Sequence, residues 1–183
     1  MIRFPRMLPT IALIVTVIVL ACWVTVLMRG MDDIKWTAAN ALRYSFADFN
    51  RLVGSMISSP DPISAWDHDL LNASGNQDRY LTMLLHAHYG FLQRRLASDF
   101  SRELGDNGGI EYQAIRAAYG NTDNATFVDL LKELLTYRET MNDELVTLLR
   151  KTERIKSVQI DKLHQLFQDY WRFVEKTLGP VRR

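Results

Sequence analysis

Few residues in this chain have the types and spacing that chemistry requires. His86 and His88 invite a metal-site reading, because neutral imidazole is a common metal ligand. Two positions apart on a helix, they point about 200° away from each other, so one ion cannot take both. His88 falls inside an apolar arc and His86 at its edge, which favours structural histidines. Asp67-His68-Asp69 carries ligand-type side chains, but in a short exposed helix it reads as a solvated turn. His164 stands at the border of an apolar stripe with no partner in sequence. No nucleophile elbow, phosphate loop, zinc-protease helix or haem-attachment site occurs. No pair of carboxylates stands out as acid and base. We therefore expect no catalytic site, no metal and no cofactor.

Cys22 is the only cysteine, so no disulfide can form within the chain. It ends Val19-Leu20-Ala21-Cys22, a loose lipobox, which would make the chain a lipoprotein anchored at Cys22. Against this, the apolar run continues past it through Trp23, Val24, Val26, Leu27 and Met28. A cleaved secretory signal has an apolar run of about 7–15 residues and a small-residue cleavage site. Here the run is too long and no such site follows.

The stretch that holds Cys22 organises the whole chain. Met7–Met28 is 22 residues without a charge, and 12 of them are Leu, Ile or Val. As a helix it is roughly 33 Å long, enough to cross a hydrocarbon core of about 30 Å. Pro9 falls in the first turn, where a missing N–H costs little. We expect an uncleaved transmembrane helix over 7–28, with Leu13, Val17, Leu20, Val24 and Leu27 as membrane-anchor residues. A short basic head, residues 1–6 with Arg3 and Arg6, precedes it. Arg29, Lys35 and Arg43 follow, so the basic residues nearly balance across the span. The short basic head favours a signal anchor with the N-terminus inside and the large domain outside the cytoplasm.

Residues 31–183 form the second part, a helical domain of normal size for one core. The chain has 22 Lys and Arg against 21 Asp and Glu; without Arg3, Arg6 and Arg29 the balance is 19 against 21. So even a charge offers no electrostatic footprint for nucleic acid. Main helices are expected at about 33–57, 77–104 and 124–178, with short ones at about 64–72 and 110–119. In 33–57 the residues Ala38, Leu42, Phe46, Phe49, Val53 and Met56 keep helical spacing. Ser58-Ser59-Pro60-Asp61-Pro62 should end that helix, and Gly75-Asn76 should break the chain again. From Phe127 to Leu178 there is neither Gly nor Pro. Along its apolar seam Arg138 and Thr152 fill positions where apolar residues belong. The pattern thins at 152–159, which would suit a fold-back, but the missing turn residues favour one long, protruding helix.

That protruding helix would expose Leu163, Phe167, Tyr170, Trp171, Val174 and Leu178. This stripe reads either as bundle core or as a docking face, of helix-in-groove or coiled-coil type, for another chain. The expected fold class is thus all-α: a single-pass membrane helix followed by a soluble helical bundle. The layout resembles the outer half of bacterial chemoreceptors and membrane sensor kinases, in which an anchor runs into a helical bundle. Those proteins return through a second span, whereas residues 155–178 carry too many charges for a bilayer. The sequence-level expectation is an accessory or scaffold subunit, whose partners are the lipid bilayer and a membrane protein or a second copy. The alternative is an extracytoplasmic ligand-sensing bundle that signals through a partner.

Overall fold

The computed structural model describes residues 8–59, 63–89, 109–149 and 157–179, and these are all-helical with no strand. The first helix, α1 (Leu8–Ser58), is a single element of 51 residues, roughly 77 Å long. The apolar stretch and the amphipathic stretch after it therefore form one rod. Gly30 does not interrupt it, and its surroundings are open. The residues Leu13 to Met28 touch little else and stay exposed, and the helix is long and apolar enough to cross a membrane. Ala38, Leu42, Phe46, Phe49, Val53 and Met56 are buried, as the spacing predicts.

After a 3-10 turn (Ile63–Ala65), α2 runs from Asp67 to Tyr89. This corrects two expectations: there is no separate helix over 64–72, and Gly75-Asn76 does not break the chain. One glycine costs a helix only about 1 kcal/mol. A break there would split the buried face of Leu70, Ala73, Leu81, Leu84 and Leu85. The short α3 (Ile110–Asn121) lies where the sequence places it. The expected helix beyond Tyr89, the basic head, the stop at 60–62 and Thr152 lie outside the described residues.

The expected helix over 124–178 is two helices, α4 (Asn124–Leu148) and α5 (Ser157–Leu178). The Asp123 carboxylate caps α4, accepting from the Thr126 N–H at 3.0 Å and the Thr126 hydroxyl at 2.8 Å. These bonds hold the Asp123 carboxyl below its ordinary range. At the other end, Gln159 of α5 donates its Nε2 to the Leu148 carbonyl at 2.7 Å, serving a group that the helix end leaves without an intrahelical partner. Gly179, at φ 99°, closes α5. The fold-back follows from burial. Helix propensity offers tenths of a kcal/mol per residue, whereas burying a large apolar side chain is worth about 1.5–3 kcal/mol. A projecting α5 would leave a full stripe of such side chains in water.

Side-chain pairings give the topology. Ser45 of α1 donates to the Ala73 carbonyl of α2 at 3.2 Å and Lys35 of α1 lies near His88 of α2, so the two helices run antiparallel. Gly54 of α1 faces Leu135 of α4, while Asn50 meets Arg138, so this pair is antiparallel too. In α4 and α5 the Tyr137 and Phe173 rings stack at 4.1 Å, and Arg138 meets Tyr170. Phe46 packs edge-on against Phe167 and Tyr170, which brings α5 against α1. Four long helices thus enclose one apolar core, with α3 bound across α2, α4 and α5.

Candidate functional site

The five candidate anchor residues all lie on the part of α1 that is free of the bundle: Leu13, Val17, Leu20, Val24 and Leu27 are 53–65% exposed. Thr16 and Thr25 return their hydroxyls to the carbonyls of Ala12 and Ala21, both at 2.8 Å. Those two polar groups are thereby satisfied inside the helix, which is what an apolar solvent demands. Cys22 is exposed on the same rod.

The six candidate docking residues are placed otherwise. Leu163, Phe167, Tyr170, Trp171, Val174 and Leu178 are all buried in this chain's own core. Of the two readings of this stripe, the structure shows bundle core, and the candidate docking face is corrected. α5 lays this stripe mainly against α4 and α3, while Phe167 and Tyr170 also reach Phe46 of α1.

At the centre of that core lies a polar cluster that links the five described helices. Arg138 of α4 is 0% exposed. Its Nε donates to Asn50 Oδ1 of α1 at 2.6 Å. One terminal nitrogen donates to Glu111 Oε1 of α3 at 3.0 Å and to the Tyr170 hydroxyl of α5 at 2.6 Å. The other donates to Gln77 Oε1 of α2 at 2.9 Å and to the Phe46 carbonyl at 3.3 Å. A guanidinium has five N–H donors, and all five are engaged. Its plane also covers the Phe46 ring at 3.8 Å and the Phe49 ring at 4.3 Å. Glu111, buried as well, accepts from Ser74 at 2.7 Å through its second oxygen. Burial pushes the Tyr170 phenol far above its ordinary range, so it remains a neutral partner.

Asp78 adjoins this pair. It is half-buried as a residue, but its Oδ2 is enclosed and has no hydrogen-bond partner among the described residues. Burial raises its carboxyl well above the ordinary value; Glu111 pushes the same way and Arg138 opposes both. Two carboxyls thus share one cation, and the pairing with Arg138 belongs to Glu111. Gly109 fixes the approach of α3 to α2. It has φ 26°, and a Cβ there would overlap the Ser74 side chain.

The histidines stay apart. His86 is exposed; His88 is half-buried, edge-on to Tyr89 at 4.9 Å. Burial, aided by Lys35, lowers the His88 imidazole, with Asp161 opposing. Tyr89 donates to Asp161 Oδ1 at 3.0 Å, and burial together with that bond pushes its phenol up to about 12. His68 pairs with Asn72 at 3.0 Å, and His164 with Gln168 at 3.2 Å. Asp67, in the segment read as a solvated turn, accepts from Tyr112 of α3 at 2.9 Å and is half-buried. No group of three or more His, Cys, Asp or Glu among the described residues is placed to hold a metal ion.

The sequence reading missed Asn50, Ser74, Gln77, Asp78 and Glu111. One signal was present: an arginine in an apolar seam demands acceptors from neighbouring helices. Which acceptors answer cannot be read from spacing, since they come from four other helices. No protein-family model, curated protein or solved structure matches the chain.

Proposed function

We propose that this chain is a single-pass membrane-anchored helical interaction protein. In this reading α1 holds it in the bilayer with the N-terminus inside. The bundle lies outside the cytoplasm and acts as an accessory or scaffold subunit, on a membrane-protein partner or a second copy. One observation carries the proposal: the apolar half of α1 is exposed around its whole circumference and runs unbroken into a closed bundle. A soluble protein rarely leaves so much contiguous apolar surface bare. No catalytic role is proposed, because the most elaborate polar arrangement is internal and its charges answer one another.

Membrane fractionation of the full chain at native expression tests the anchor. The chain should stay in the pellet after alkaline carbonate and enter the supernatant only with detergent. Recovery of an intact or shortened, unlipidated chain in the soluble fraction overturns it. Purification in mild detergent tests the association. A higher oligomer or a stoichiometric membrane partner is expected, and a lone monomer at near-native level overturns that half.

The ligand-sensing reading has one observation in its favour. A groove between α1 and α4 has Asn50, Ser55, Trp66, Leu135 and Glu139 on its walls. It reaches the Arg138 cluster through Asn50, and the Trp66 Nε1 is enclosed there with no partner among the described residues. A small molecule that raises the unfolding temperature of the wild type, but not of Asn50→Ala, would establish it.

A further inference from the structure

Because α1 enters the bundle without a linker, height above the apolar stretch can be counted in residues. Beyond Met28, the last residue of the uncharged run, Met31 stands roughly 4 Å, Ile34 roughly 9 Å, Trp36 roughly 12 Å and Tyr44 roughly 24 Å along the axis. The headgroup layer adds about 5–7 Å to each side of the hydrocarbon core. Side chains on a helix lean toward its N-terminus and cover the preceding turn. The Trp36 indole therefore descends by up to roughly one turn, to about 7 Å, and Ile34 comes lower still.

This short stretch is otherwise anomalous. Met31, Ile34 and Trp36 are 36%, 49% and 56% exposed, although the bundle begins at once with buried Ala38 and Ala39. Ile34 and Trp36 lie two residues apart, so they leave the helix about 200° from each other. One docked helix cannot cover both, whereas a layer that surrounds α1 covers both. Arg29, Asp32, Asp33 and Lys35 are interleaved with them, and Lys35 and Asp32 pair at 3.6 Å. Charge mixed with large apolar side chains suits the interface, where tryptophan is enriched because its apolar body and N–H find different surroundings.

We propose that Met31, Ile34 and Trp36 lie within the lipid headgroup layer, so that the bundle stands directly on the bilayer. Its end bearing Lys35, His88, Tyr89 and Asp161 then faces the lipid. This rests on the anchor reading, and the experiment separates the two. The full chain is placed in nanodiscs of phosphatidylcholine and phosphatidylglycerol and spin-labelled at one site at a time. The sites are native Cys22 and, in a Cys22→Ser background, Ile34→Cys, Trp36→Cys and Tyr44→Cys. Each is read by its collision rate with oxygen, which enters lipid, and with a neutral nickel chelate, which stays in water. Circular dichroism confirms that each variant is folded.

Cys22 should show high oxygen and minimal nickel access, and Tyr44→Cys the reverse. Ile34→Cys and Trp36→Cys should both fall between, with nickel access several-fold below that at Tyr44→Cys. If Cys22 reports lipid while position 34 or 36 is as open to nickel as position 44, the inference fails and the anchor stands. If Cys22 itself is open to nickel, both fail. Since 34 and 36 are tested separately, loss of folding in one variant still leaves the other to decide.

Discussion

Arg138 makes the bundle depend on one side chain. Removing one partner of a buried ion pair leaves the other charge uncompensated, at a cost of about 3–5 kcal/mol. Arg138→Met should lower stability by that order in denaturant titration of the full chain in detergent. Adding Glu111→Gln to it should recover part of the loss. Asp78 gives a pH dependence of definite sign. Its carboxyl is raised in the folded state, so the folded chain keeps a proton that the unfolded chain releases. The stability it allows is fully present below the ordinary carboxylate value and falls as pH rises through the raised one. Asp78→Asn should therefore flatten that slope and stabilise the chain near neutral pH, measured by titrations across pH. Gly109→Ala should cost about 1–3 kcal/mol through overpacking on Ser74 and the positive φ, and Ser74→Gly beside it should restore part. Of this cluster only Arg138 was legible in the sequence, as a cation standing in an apolar seam. Its acceptors come from helices far apart in the chain, and no period in the sequence joins them.

At the scale of the elements, dense local signals decide where helices stop, and weak ones are overridden by packing. The close of α1 at Ser58 follows from the dense stop residues of Ser58-Ser59-Pro60-Asp61-Pro62. Gly75 carried a weaker signal, and the buried face of α2 outweighed it. Gly75→Ala should accordingly stabilise the chain by roughly 0.5–1 kcal/mol, since the added methyl meets nothing within 4 Å. Denaturant titration checks it; a loss of stability would show a conformational need for glycine there. The end of α4 had no stop residue at all. There the only sign was a thinning apolar pattern, and the decision rested on burying the stripe of α5, a tertiary quantity.

At the scale of the whole molecule, composition and the uncharged stretch already gave an all-α chain with one candidate span and a bundle. That Gly30 does not divide the rod between them needed the structure. A rod of 51 residues without a joint ties the compass bearing of the bundle to that of the apolar stretch. A single residue inserted at Gly30 would turn the bundle by about 100° against the span and lift it by about 1.5 Å, while seven residues would nearly restore the original bearing. Any companion that grips the chain both along its apolar stretch and on the bundle would sense the first change as a misaligned key and accept the second as a longer one.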